Sequence, residues 1–235
     1  MNAESERTAL RQQLDYYRAR SAEYDQWWLR QGRYDRGAED NARWFAEASE
    51  VSSALVALRP SGSILEIAGG TGIWSEKLLP FASALTVLDG SPEMLAINAA
   101  RLRTQSVHYV EADIFQWQPS ARFDTIFFGF WLSHVPPERF AQFWQLVRAC
   151  LAPGGRVFFV DSRREATSTA VDHRLPEPES AVHCRRLNDG REFQVYKVFY
   201  EPADLIARLR DLGWQFEVRQ TERYFLFGSG HSLNQ

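Results

Sequence analysis

Gly69, Gly70 and Gly72 follow the apolar run Ile64–Ile67 and precede an amphipathic run that starts at Ile73. Glycine carries no Cβ to hold a ligand off the backbone, and a helix that starts there offers free N–H groups and the positive end of its dipole. Such a turn grips a small polar ligand, which in an open parallel sheet lies beyond the carboxyl ends of the strands, near a switch in strand order. A tight strand-to-helix turn without a ligand is the plainer alternative. Asp89 ends the next apolar run, and a carboxylate there can accept hydrogen bonds from both hydroxyls of a ribose. A dinucleotide fingerprint would continue Gly70-x-Gly72 with a third glycine, and the chain has Ser75 there. A nucleoside therefore fits, with no pyrophosphate required.

His134, in "WLSHVPPE", is the best candidate for acid–base chemistry. Neutral imidazole takes up a proton near pH 6–7, so a reaction that uses it as a base should show an acid limb there. The competing role is to order its loop through a backbone hydrogen bond. His108 falls within an expected strand, and His173, His183 and His231 within expected loops. His173, His183 and Cys184 match no zinc spacing, so no metal is expected. No G-x-S-x-G elbow is present, which disfavours a serine hydrolase.

The elements that must position these residues alternate along the chain. Leu10, Leu14, Tyr17, Tyr24 and Trp28 recur at helical spacing, predicting one amphipathic helix over 8–32 that Gly32 ends. A second is expected over 38–58, before Pro60 and Gly62. Then come strand "SILEIA", helix 72–82, strand "ALTVLD", helix 92–103, strands "VHYVEA" and "FDTIFFGF", helix 137–151, strand "RVFFVD", a helix opened by Pro202, and strands "WQFEVRQ" and "YFLFGS". That order implies a parallel sheet, and the short last connection implies one antiparallel edge. Residues 163–191 turn polar, carry Pro176 and Pro178, and read as an insertion over the sheet's end, with "NDG" at 188–190 as a hairpin signal before "REFQVYKVFY" resumes strand character.

A chain of 235 residues, 45% hydrophobic, can bury one α/β core. A net charge of −3 with mixed signs gives no basic stripe for nucleic acid. Cys150 and Cys184 are too few for a disulfide framework, and the first residues lack the apolar core of a signal peptide, so a reducing, cytoplasmic setting is expected. No apolar run approaches the roughly 20 residues that span a bilayer.

"LEIAGGTG", "LDGSPEML", "EADIF", "FDTIFFGFWLSHVPPE" and "LAPGGRVFFVD" stand in the order found in class I S-adenosylmethionine-dependent methyltransferases of small-molecule type, which the chain resembles from about Ser63 onward. The resemblance implies a Rossmann-like methyltransferase fold: an α/β, doubly wound, seven-stranded, mostly parallel sheet with the last strand antiparallel. It also implies an N-terminal helical lid over 1–60, a cofactor-binding domain over 61–235, and a second lid in the 163–191 insertion. One departure is Ala68, where the family's E-x-G-x-G-x-G has its first glycine. By resemblance Glu66, Ala68 and Gly70 hold the methionyl end of S-adenosylmethionine and Asp89 its ribose. Gly90 and Met94 line the adenine, Asp113 takes the adenine amino group, and Ile114 offers a backbone N–H. Plainer roles compete: Asp113 capping a turn, Met94 as core, Glu66 pairing with an arginine.

Tyr16, Tyr17, Tyr24, Trp27, Trp28 and Tyr34 crowd the N-terminal helix and its exit. Tyr17, Tyr24 and Trp28 share a face and are candidates both for docking the helix and for an acceptor pocket, with Phe130, a cofactor-contact candidate too, and Trp131 as the facing wall. Such a pocket favours a flat or apolar molecule and can stabilise a cationic amine. Arg30, Arg33 and Arg36 are a solvated helix end or a grip for a carboxylate or phosphate. The expected partner is a small-molecule methyl acceptor, with no nucleic acid and no membrane, for a monomer or homodimer; acceptor atom O, N or C stays open. The rivals are a non-catalytic methyltransferase-like binding subunit and an NAD(P)-dependent oxidoreductase.

Overall fold

The computed structural model describes residues 3–173, 175, 177 and 180–233, so Pro176 and Pro178 lie outside the described residues. The chain opens with α1 (Ala3–Arg20), α2 (Tyr24–Trp28) and α3 (Ala38–Leu58). The single helix expected over 8–32 is thus broken at Ser21–Glu23. The break turns Trp27 onto Phe130 and Trp44, with ring centroids at 4.7 and 5.3 Å, and lets its indole N–H donate to the Ser168 carbonyl at 2.8 Å. Tertiary packing of this kind overrides the local period.

The alternating part follows: β1 (Ser63–Ile67), α4 (Ser75–Leu78), β2 (Ala84–Asp89), α5 (Pro92–Leu102), β3 (Val107–Glu111), β4 (Phe123–Gly129), α6 (Phe140–Cys150), β5 (Leu151–Ser162), β6 (Val182–Arg186), β7 (Glu192–Tyr196), α7 (Pro202–Asp211), β8 (Trp214–Gln220) and β9 (Phe225–Ser232). The helix expected over 72–82 shrinks to α4 and a 3-10 turn at Leu79–Phe81, where Pro80 has no N–H to continue the ladder. That expected over 137–151 starts with a 3-10 turn at Pro137–Arg139. His183 and His231, expected in loops, stand in β6 and β9.

Seven strands form one sheet in the order β3-β2-β1-β4-β5-β9-β8, parallel except for β9; the antiparallel strand expected at the edge instead lies between β5 and β8 and pairs with both, which leaves β8 at the edge. Strand order reverses between β1 and β4, so the crevice at their carboxyl ends is the expected ligand position. Both faces are buried. Phe127 stacks on Phe158 towards the α3 side with Trp44, Val51 and Leu55, while Phe128 stacks on Phe159 towards α6 and α7 with Phe143, Trp144 and Leu205. The period-2 alternation of a strand delivers successive phenylalanines to opposite faces. β6 and β7 form a separate hairpin around Asn188–Gly190 that docks on α1, where the side chains of Gln12 and Gln13 accept from the backbone N–H groups of Gln194 and Tyr196.

Candidate active site

β1 ends in a backbone that turns left-handed three times, at Ala68 (φ +54°), Gly70 (φ +54°) and Gly72 (φ +90°). Ala68 bears the steric cost of that conformation, about 1–2 kcal/mol for a residue with a Cβ. A Cβ at Gly72 would strike the Asn98 side chain at 2.9 Å. The loop is stitched to β2 through Asp89, whose two carboxylate oxygens accept the N–H groups of Gly70 and Ser91 at 2.9 Å each. Each oxygen keeps a further acceptor position. Burial raises the Asp89 pKa, and the hydrogen bonds from Gly70 and Ser91 oppose that rise.

Glu66 lies behind the loop at 2% exposure and accepts from the Ser75 hydroxyl, which in turn accepts from the Asn98 amide at 2.7 Å. Burial pushes its carboxyl up to about 8, with the Asp89 charge a lesser cause, so it holds a proton at neutral pH.

A cleft of about 510 Å³ opens beside this loop. Ala68, Gly70, Asp89, Gly90, Met94, Asp113, Ile114 and Phe130 line it together with Tyr17, Tyr24, Trp131 and His134. Glu66 borders a smaller recess with Gly69 and Thr71 instead. Trp28 is the candidate set apart: it packs on Trp44, Trp74 and Phe225 and borders only that recess. Asp113 accepts from the Phe115 N–H at 2.9 Å and the Gln116 amide at 2.8 Å, while lining the cleft. Phe130 has φ +57°, rare for a side chain of this size, and sits where cleft and recess meet.

α1 covers the cleft with Leu10, Gln13, Leu14 and Tyr17. Leu14 approaches Gly90 so closely that a Cβ there would meet it at 3.0 Å, and Arg18 donates to the Gly90 carbonyl at 3.2 Å. Asp25 joins the helix pair to the glycine loop: it accepts from the Thr71 hydroxyl at 2.6 Å and pairs with Arg101, which also donates to the Thr71 carbonyl. Sequence reading missed Asp25, Asn98 and Arg101 because each acts across a distance in the chain that no local period marks. Arg30, Arg33 and Arg36 donate to the carbonyls of Thr167, Arg186 and Thr169, tying the N-terminal segment to the 163–191 insertion.

His134 is 7% exposed, with its Nδ1 against the Tyr196 carbonyl and its Nε2 at 2.7 Å from the Tyr17 hydroxyl. A carbonyl only accepts, so Nδ1 carries the proton and Nε2 accepts from Tyr17. Burial holds the imidazole well below its ordinary pKa, and the Lys197 ammonium adds to the effect. It is neutral across the physiological range.

A parallel sheet with a glycine turn at its switch point and an acid at the end of the next strand defines a nucleoside-binding α/β protein. The cleft volume lies within the range of small-molecule sites, the Gly70 backbone is bare towards it, and Asp89 retains acceptor capacity, so these residues fit an adenosyl group. A methyltransferase domain family matches residues 64–155. Curated relatives include the ubiquinone biosynthesis O-methyltransferases of Xanthomonas euvesicatoria pv. vesicatoria, 31% identical over 66% of this chain and 63% of that protein, and of Xanthomonas axonopodis pv. citri, 30% identical over 68% and 66%. The matched part thus spans just under two thirds of those two relatives. A solved structure of DhpI with SAH superposes with a TM-score of 0.78 at 36% identity, covering 97% of this chain and 99% of that one. DhpI has also been solved with SAM and HEP. The chain belongs to the class I S-adenosylmethionine-dependent methyltransferase family, and S-adenosylmethionine is its cofactor.

Proposed function

We propose that this enzyme methylates an oxygen of a small molecule. The observation that carries the reading is the Tyr17–His134 hydrogen bond in the lining of the cleft that Asp89 and Met94 also line. S-adenosylmethionine, when bound, supplies an electrophilic methyl group on a sulfonium. Glu66, Ala68 and Gly70 are assigned to its methionyl end, Asp89 to the ribose, and Gly90, Met94, Asp113, Ile114 and Phe130 to the adenine side. Tyr17, Tyr24 and Trp131 border the acceptor space, and Trp28 packs against Phe130. α1 and α2, within residues 1–60, serve as a lid that excludes water and aligns the acceptor, and such alignment can supply roughly 7–11 kcal/mol.

His134 is the proton acceptor in this proposal and works through Tyr17. An acceptor O–H donates to the Tyr17 oxygen while Tyr17 donates to Nε2, so one proton advances along the pair. A weakly basic imidazole suits an acidic hydroxyl, such as a phenol or an acid, better than an amine that must lose its proton first. The names of the relatives, which are O-methyltransferases, support an oxygen acceptor. The test is SAH formation with phenols, carboxylic acids and amines as acceptors, with products identified by mass spectrometry. Turnover of oxygen acceptors supports the reading; turnover confined to amines overturns it.

A further inference from the structure

A second cavity of about 60 Å³, which shares Tyr17, Tyr24, Phe130 and His134 with the lining of the cleft, lies between α1 and the β6–β7 hairpin. It has room for a head group of a few heavy atoms and none for a ring. We infer that this cavity is an oxyanion subsite, in which Arg20 and Arg185 hold a carboxylate or phosphate-type group of the methyl acceptor. The inference rests on the methyltransferase reading for the molecule to which that group belongs.

Charge is the first argument. Arg20, Arg185 and Lys197 line the cavity, and among the described residues no carboxylate does. Asp161, behind the wall, neutralises Lys197 at 3.1 Å. Arg20 is 8% exposed, donates to the Tyr34 hydroxyl at 3.3 Å, and leaves its Nε without a partner. Among the described residues no carboxylate comes within 4.0 Å of Arg20 or Arg185. The Arg20 guanidinium is instead caged by the rings of Tyr16, Tyr24 and Tyr34 at 4.8–5.8 Å. Arg185 donates to the Thr169 hydroxyl at 2.9 Å.

A buried guanidinium without a counter-ion is costly, and cation–π contact recovers only part of the lost hydration. An oxyanion would restore it, because the planar guanidinium fork matches the paired oxygens of a carboxylate or phosphate. Position is the second argument. The four residues common to the linings of the cavity and the cleft include the Tyr17–His134 pair, so a group held by Arg20 and Arg185 sits next to where a proton or methyl would move.

The experiment titrates the protein, with and without saturating SAH, with inorganic phosphate and separately with acetate, against chloride at equal ionic strength. Calorimetry and the thermal midpoint are both read. The expected result is a rise of several degrees in midpoint for one of the two anions beyond chloride; the anion that binds more tightly identifies the head group as phosphate-like or carboxylate-like. Arg185→Gln, on the half-buried hairpin, should weaken that anion at least tenfold and leave SAH affinity unchanged, and Arg20→Gln should do the same where it folds. No anion effect in either state, or an Arg185→Gln variant with undiminished anion affinity, overturns the subsite. Failure of SAH to bind, visible in the same titrations, would count against the methyltransferase reading instead, and the SAH-free arm would still judge the cavity.

Discussion

The Tyr17 hydroxyl and His134 Nε2 stand 2.7 Å apart, joining the first helix to the loop after β4 across 117 positions of sequence. The second ring nitrogen of His134 is held by the Tyr196 carbonyl on β7, so helix, loop and hairpin meet at one imidazole. Structural and chemical roles coincide in this residue, and they can be separated experimentally. Tyr17→Phe keeps the ring and removes only the hydroxyl. If the pair moves a proton, Tyr17→Phe and His134→Ala should each lower turnover by about 10²-fold or more, with SAH affinity intact. The double variant should be little worse than either single one, because the two act as a unit. Equal loss of folding stability with turnover preserved would leave His134 a loop-ordering residue. The acid limb expected near pH 6–7 from sequence should also move lower, since the fold depresses the imidazole's basicity.

Acid should destabilise the fold through its buried histidines. Burial brings His173 and His183 down to about 4, and His134 also lies below its ordinary value. Unfolded, each takes a proton near pH 6.5. Between 6.5 and 4 the unfolded chain therefore binds more protons, and stability falls as pH falls, by at most about 1.4 kcal/mol per pH unit for each histidine. Urea unfolding at pH 7.5 and 5.5 reads this directly, and His183→Gln should flatten the slope. A profile equally flat in both proteins would refute it.

Glu66 predicts the opposite trend at higher pH. Its folded-state pKa of about 8 lies above the unfolded value, so the native state keeps a proton that the unfolded chain releases, and stability falls as pH rises from about 4.5 to 8. Glu66→Gln cannot ionise. Relative to the parent it should gain up to about 3 kcal/mol on going from pH 6 to pH 9, measured by denaturant unfolding of the cofactor-free protein. No gain would mean that the carboxylate is ionised at neutral pH.

Asp89→Ala removes the acceptor of two backbone N–H groups and the assigned ribose partner at once. S-adenosylmethionine binding should weaken by about 1–3 kcal/mol, as for lost charge-assisted hydrogen bonds. Calorimetric titration checks it, and unchanged affinity would sink the ribose assignment.

Ala68→Gly should stabilise the fold, by about 0.5–1 kcal/mol, because relief of the left-handed strain exceeds the extra flexibility glycine gives the unfolded chain. A shift in urea midpoint at constant slope is the readout, and a destabilised variant would show that the Ala68 methyl packs more favourably than its backbone is strained.

Much of the fold was legible because its determinants are local. The α3 boundaries, Ala38 to Leu58, match the helical period and its breakers. The β1, β2, β4 and β5 strands and the antiparallel β9 follow from period-2 patterning and connection length. The glycine turn and Asp89 fall where strand meets helix, so their shared place at the switch point follows once the sheet is parallel. Most of the candidate positions in the cofactor group come to one cleft for that reason.

Other features depended on contacts between distant segments, which no local pattern encodes. The break of the first helix at Ser21 follows from Trp27 reaching Phe130 and Ser168. Trp28 shares a helical face with Tyr17 in sequence, yet the turn after Arg20 sends it into the aromatic core. The arginines at 30, 33 and 36 became ties to the insertion, while Arg20, unremarkable by composition, became a buried cation that meets no carboxylate among the described residues. Sequence by itself determined the sheet and the nucleoside turn, because backbone geometry and hydrophobic period act over a few residues. Which side chains face the acceptor was decided only by tertiary packing, because that wall is assembled from α1, the loop after β4 and a hairpin far along the chain.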